Sequence, residues 1–290
     1  MRSPGPVEYG LLLLLCLAWA SIYPLVKIIE HDFEPIELMA VRALFACLSV
    51  LVVALVTRRS LRATRSQHGL LLILSFLNVT LIWIAISLAE ERLSTGLTAL
   101  LTALVPIGTF LLNAFVLRSE RPEARRMLGL VLALVGLVVV IGPSSIVGRG
   151  ADLGDLALMA AGCLGYASGG LLAAARGQGL HPLVTTVWSL AYATATLTAL
   201  SFALESPLAR HPQRAAWLAV LAAGVLATAL PNLIYYHLIQ KSGAQFASLF
   251  GYLVPVFGVL MGLFWMHEPM TVGLLPGIAL TLAGVALVRR

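Results

Sequence analysis

Two basic side chains, Lys27 and Arg42, stand inside long apolar stretches, where a charge is costly and usually serves a purpose. The chemistry open to them is capture of a carboxylate. Asp and Glu fall at the ends of the apolar stretches or between them, so a pocket built around Lys27 and Arg42 is neutral or positive and a poor host for organic cations. Both residues also lie near the ends of their stretches, which leaves a second use open: snorkelling to lipid headgroups, or pairing with Glu30, Glu34 or Glu37.

Aromatic side chains recur on helical spacings around these cations. Trp19, Tyr23 and Lys27 fall at i, i+4 and i+8; Trp188 and Tyr192 share one face, and Asn232 and Tyr235 share another with Tyr236 adjacent. Gln245, Ser248 and Tyr252 form a further set at i, i+3 and i+7. An apolar pocket walled by Trp and Tyr suits a large or aromatic ligand side chain, although single rings in such stretches more often pack the fold. Nothing in the apolar stretches has the spacing of an enzyme site: there are no paired aspartates, no His-Glu zinc pair and no Ser with a His. Cys16, Cys47 and Cys163 all sit inside apolar stretches and read as small buried residues; neither a metal nor a cofactor is expected.

The elements that position these groups are membrane helices. Of the 290 residues 60% are hydrophobic and 11% charged, and the mean hydropathy is +0.96. A helix needs roughly 20 apolar residues to cross the hydrocarbon core. Ten such spans are expected near 8–29, 35–57, 69–88, 94–117, 127–142, 153–174, 183–204, 215–239, 243–265 and 271–288. The first is a span and not a signal peptide, because Ala18-Trp19-Ala20, which imitates a cleavage site, has a counterpart deep inside the chain.

That counterpart belongs to an internal repeat. Cys16-Leu17-Ala18-Trp19-Ala20-Ser21 returns as Cys163-Leu164-Gly165-Tyr166-Ala167-Ser168 at an offset of 147, and Pro35 returns as Pro182. Leu104-Val105-Pro106 returns as Leu253-Val254-Pro255 at an offset of 149. Two units follow, 1–143 with spans one to five and 151–290 with spans six to ten, and an odd number of spans inverts the second copy. The fold class is an all-α integral membrane protein of ten helices, arranged as two inverted five-helix repeats around a central cavity.

The halves differ where it matters. Thr95, Thr98, Thr102, Pro106, Thr109 and Asn113 form a polar stripe on span four, and their partners Ala244, Ala247, Gly251, Pro255, Gly258 and Gly262 form a stripe of small residues on span nine. These spans are expected to cross near the pseudo-twofold axis, with hydroxyls bonding across helices, and to bend at Pro106 and Pro255. Pro106, Pro255, Gly251 and Gly258 are the gating candidates; simple close packing is the alternative use of the same face. Gly129 with Gly136, and Gly277 with Gly284, mark spans five and ten as peripheral scaffold, with a dimer face as the weaker alternative.

Topology follows from the basic residues. With the N-terminus inside, the inner side holds thirteen: Arg2, Arg58, Arg59, Arg62, Arg65, Arg118, Arg121, Arg125, Arg126, Arg176, Lys241, Arg289 and Arg290. The outer side holds four, Arg92, Arg149, Arg210 and Arg214. Both termini are therefore expected in the cytoplasm. The net charge of +6 is spent on these anchors, so no nucleic-acid partner is expected.

Taken in order, Trp19-Ala20-Ser21 with Lys27, Arg42 after Glu34-Pro35, Leu104-Val105-Pro106 with Glu120, Leu253-Val254-Pro255 with His267-Glu268-Pro269, and the closing Gly277 to Leu287 stretch resemble the drug/metabolite transporter superfamily. The likeness is to its ten-span EamA-type branch, which includes amino-acid exporters. It implies a secondary transporter around a central cavity, without ATP hydrolysis. The expected activity is export of small metabolites, foremost aromatic or other neutral amino acids, across the inner membrane by gradient-driven alternating access; a broad drug and metabolite exporter is the alternative. The expected binding residues are Trp19, Tyr23, Lys27, Arg42, Tyr166, Trp188, Asn232, Tyr235 and Ser248. The expected partners are the small-molecule substrate and the lipid bilayer, with the chain a monomer or weak homodimer.

Overall fold

Three of the long helices open on a proline, at Pro6, Pro35 and Pro182, where the fixed φ suits the first turn and no backbone donor is lost. The computed structural model describes residues 4–29, 31–90, 93, 95–117, 123–142, 153–207, 209–265 and 273–288. The readings placed on Glu30, Arg92, Arg118, Glu120, Arg121, Arg149, His267, Glu268 and Pro269, on the side chain of Thr95 and on the terminal arginines Arg2, Arg289 and Arg290 lie outside the described residues.

The described residues form α1 (Pro6–Ile29), α2 (Pro35–Val56), α3 (Arg65–Ala89), α4 (Leu97–Val116), α5 (Ala124–Ile141), α6 (Leu153–Arg176), α7 (Pro182–Leu204), α8 (Arg214–Ser242), α9 (Ala244–Trp265) and the shorter α10 (Leu274–Val288). The first nine are long and apolar enough to cross a bilayer. The protein is thus an all-helical, multi-pass membrane protein of two inverted five-helix repeats.

The repeats interlock. Helix α1 packs on α8 and α9, and its counterpart α6 packs on α3 and α4. Equivalent helices also meet: α2 lies along α7, α4 touches α9, and α5 lies along α10. The last pair is the closest. A Cβ on Gly136 would come 2.4 Å from the Thr281 backbone nitrogen, and one on Gly284 would come 2.4 Å from that of Ala133. Gly129 and Gly277 are pinned in the same seam, so all four glycines are used between α5 and α10 within one chain and the dimer reading of these faces does not hold.

The helix starts of α2 and α7 are repeat partners held in different ways. The Glu205 carboxylate, just past the end of α7, accepts hydrogen bonds from Ile36 N at 2.7 Å and Glu37 N at 2.8 Å, placing an anion at the N-terminus of α2. Arg210 extends this tie between the halves: its guanidinium bonds Glu34 at 2.8 Å and the Phe33 carbonyl at 3.1 Å. The α7 start is instead capped by its own His181, whose Nδ1 accepts from Leu183 N at 3.2 Å. Partial burial, with Arg59 and His237 nearby, lowers the His181 pKa and so favours the neutral ring that this bond requires.

Several helices are irregular; one irregularity is matched between the repeats, whereas the π-turn of α4 at Leu112–Val116 has no counterpart in α9. Helix α3 carries a π-helical turn at Phe76–Thr80 and α8 carries one at Val225–Ala229, an offset of 149, the same as that between Pro106 and Pro255. Such turns cluster at functional places in helices. Helix α4 is interrupted at Ala103, three residues before Pro106, and α9 at Leu249, six residues before Pro255. Helix α1 is interrupted at Ser21, three residues before Pro24, where the Ser21 hydroxyl donates to the Ala18 carbonyl at 2.7 Å. Pro24 has no proline partner in the second repeat, and α6 runs unbroken.

Candidate functional site

Four rings meet where α1, α6, α8 and α9 converge. Trp19 lies 4.6 Å from Phe250 and 5.9 Å from Tyr235, and Tyr166 lies 5.2 Å from each of the same two rings. Phe250 and Tyr235 complete the set at 5.8 Å. The repeat partners Trp19 and Tyr166 are thus brought into one cluster, but Phe250 and Tyr235 join them. Tyr235 is only 2% exposed, and its hydroxyl lies where a Cβ on Gly170 would come within 2.7 Å. Tyr236 stands beside it at 5.5 Å, with its own hydroxyl 3.4 Å from Ser189 Oγ.

The other expected residues are dispersed. Tyr23 does not join the ring cluster; it reaches α9 further along than Trp19 does, where its ring covers Gly258. Gly258 therefore receives α1, and of the two gating glycines Gly251 is the one at the α4 crossing: a Cβ there would lie 2.8 Å from Pro106 Cδ and 2.8 Å from the Thr102 carbonyl. Lys27 is exposed near the end of α1. Arg42 is buried with its guanidinium 3.9 Å above the Trp83 ring, a cation–π contact between α2 and α3. Trp188 sits away from the cluster; its Nε1 donates to the Leu61 carbonyl at 2.9 Å, and its ring meets His68 at 4.6 Å. Asn232 Nδ2 donates to the Thr228 carbonyl at 2.8 Å, in the turn where Pro231 supplies no donor. Ser248 Oγ donates to the Gln245 carbonyl at 2.8 Å.

The polar stripe of α4 also differs from expectation. Thr102 Oγ1 donates to the Ala99 carbonyl and Thr109 Oγ1 to the Val105 carbonyl, both within α4. A hydroxyl back-bonded to its own helix is not available to cross. The crossing bond comes from α9 instead, where Gln245 Nε2 donates to the Pro106 carbonyl at 3.3 Å. Nearby on these two helices, the Thr98 hydroxyl, the Tyr252 hydroxyl and Gln245 Oε1 are buried with no hydrogen-bond partner among the described residues. Such atoms carry a desolvation cost that a polar ligand can relieve.

Sequence reasoning missed two groups. Phe250 was passed over because its repeat partner is Leu101, so no aromatic pair flagged it; its spacing from Phe246 was the available signal, since both meet α1 rings, Phe246 through Tyr9 at 5.1 Å. The second group surrounds the α3 π-turn. Ser75 Oγ donates to the Ser189 carbonyl at 2.7 Å, and Asn78 is buried where any Cβ on Gly169 would collide with its amide.

Comparison with known proteins gives this architecture a family context. The profile described as EamA-like transporter family matches twice, at residues 7–142 and 153–290. The uncharacterized transporter YoaV of Bacillus subtilis is 22% identical over 271 residues, covering 93% of this chain and 92% of that one. An uncharacterized transporter of Archaeoglobus fulgidus is 27% identical over 257 residues, covering 89% and 87%. The uncharacterized protein PA1977 of Pseudomonas aeruginosa is 32% identical over 208 residues, covering 70% and 68%. One solved crystal structure of a protein, 18% identical, superposes with a TM-score of 0.83 over 98% of this chain and 96% of its own, which shows a shared fold.

Proposed function

We propose, from the premise that this chain belongs to the EamA-like transporter family, that it exports aromatic and other neutral amino acids by alternating access. Membrane transport is the activity of the family; the substrate class, the direction and the mechanism are our reading. The observation that carries it is the ring cluster: Trp19 and Tyr166, one from each repeat, are collected with Tyr235 at the meeting of four helices. Rings stack on an aromatic side chain at about 0.5–1.5 kcal/mol per contact beyond the area buried. The unpartnered groups of Thr98, Gln245 and Tyr252 supply donors and an acceptor for an amino-acid head group. Interruptions in both α4 and α9, and paired π-turns in α3 and α8, support rocking of one repeat against the other. We place the protein in the inner (plasma) membrane with both termini cytoplasmic, on the inner excess of Arg and Lys.

The test is uptake of labelled phenylalanine, tryptophan and threonine into liposomes holding only this protein, with and without a pH gradient. Gradient-driven exchange without proton coupling gives equal rates in both. Trp19→Ala and Tyr166→Ala should each weaken phenylalanine and tryptophan transport by up to roughly tenfold, with threonine less affected, since a small side chain cannot use the lost ring. Lys27→Ala and Arg42→Ala should slow all three alike if either cation meets the carboxylate. Equal losses for tryptophan and threonine in Trp19→Ala would mean that this ring only packs the fold.

A further inference from the structure

The place that a substrate ring would take between the two repeats is already filled by a ring of the chain itself. Phe250 lies against Trp19, Tyr166 and Tyr235 at 4.6, 5.2 and 5.8 Å. Its contacts with the last two are edge-on, at interplanar angles of 67° and 86°, a favoured geometry for one aromatic group among others.

Phe250 also stands at a mechanical junction. It is the first residue after the break at Leu249, where Leu249 N bonds the Phe246 carbonyl at 3.2 Å and Tyr252 N bonds the Leu249 carbonyl at 3.1 Å in the tighter i to i+3 pattern. The next residue, Gly251, is seated against the Pro106 ring and the Thr102 carbonyl. The backbone at 250 and 251 is therefore set by how α9 rests on α4. A shift of α4 along α9 carries the Phe250 ring with it.

We propose that Phe250 is an internal stand-in for the substrate: its ring occupies the side-chain subsite in this conformation and withdraws when the α4–α9 crossing shifts, so that it sets both occupancy of the subsite and its preference for aromatic side chains. The inference rests on the amino-acid reading above. Substrate binding and ring withdrawal are then one exchange, in which the incoming ring recovers the contacts that Phe250 gives up. A threonine is too small to reach the ring's place and binds with Phe250 still seated, so the exchange operates only for aromatic side chains.

The experiment removes the stand-in. Phe250→Ala leaves a ring-sized apolar space, and dry apolar cavities of this kind bind free aromatic molecules. Two measurements on the full protein are compared with wild type: half-saturation for phenylalanine and threonine in liposomes, and half-saturation of thermal stabilisation by indole in identical micelles, which cancels partitioning. The expected result is about tenfold tighter phenylalanine in Phe250→Ala with threonine unchanged, and indole that stabilises the variant at about tenfold lower concentration than wild type. Phe250→Leu, which keeps the site apolar, should show the same directions with smaller shifts and serves if the alanine variant does not fold. Weaker phenylalanine in both variants, or indole acting equally on variant and wild type, would make Phe250 a fixed wall and overturn the proposal. Selective indole binding with no amino-acid transport by either protein would keep the subsite and reject the substrate reading.

Discussion

Gly136→Val should leave little folded protein to extract from the membrane. The α5–α10 seam is closed by backbone on both sides: a Cβ on Gly136 would meet Thr281 N at 2.4 Å, Thr281 Oγ1 at 2.5 Å and the Gly277 carbonyl at 2.8 Å. None of the backbone atoms can rotate aside as a side chain would, so the helices must separate. Overpacking typically costs about 1–3 kcal/mol, and here the lost contact runs along the whole pair. Gly284→Val should match it, because its Cβ would meet Ala133 N at 2.4 Å and the Gly129 carbonyl at 2.6 Å. Gly10→Ala and Gly69→Ala are the controls, since nothing lies within 4 Å of a Cβ at either position. The measurement is recovery of a monodisperse peak in mild detergent and its thermal midpoint. Full recovery of Gly136→Val would refute the seam.

The second large effect falls on transport and not on folding. Gly251→Ala places a methyl group 2.8 Å from Pro106 Cδ and from the Thr102 carbonyl, where the interrupted helices α4 and α9 press together. If this crossing changes between two states of the transporter, the methyl group biases their ratio, and a bias of about 1–3 kcal/mol shifts it roughly 5–150-fold. Initial rates in liposomes, normalised to folded protein, should fall by at least about tenfold, with a smaller loss of thermal midpoint than for Gly136→Val. Pro106→Ala and Pro255→Ala should also lower rate more than yield, by restoring a backbone donor to each interrupted helix. Normal normalised rates in Gly251→Ala would take the crossing out of the transport cycle.

Much of this was legible in the chain. The spans follow from apolar length, the inversion from an odd number of spans per repeat, and the contact of α4 with α9 from a small-residue stripe facing a polar one, because each depends on chemistry that is local to a helix or repeated at a fixed offset. The seam between α5 and α10 was half legible: the glycines seven apart marked a face, but not which helix would cover it.

The candidate site was harder, for a physical reason that single residues show. Trp19 and Tyr23 share a face by spacing, yet both lean on α9 at different heights, Trp19 at Phe250 within the ring cluster and Tyr23 at Gly258 outside it. Asn232 has the right face and depth for a ligand, yet its amide is taken by the Thr228 carbonyl beside Pro231. Phe250 has no aromatic repeat partner, and its place among the rings comes from α1 and α6 both packing near α8 and α9. Periodicity thus determined which residues lie at membrane depth and on which side of a regular helix. Interruptions in α1, α4 and α9, and the choice of neighbour at each glycine, decided which of those side chains meet, because such contacts depend on the packing of distant segments and leave no repeating signal in the chain.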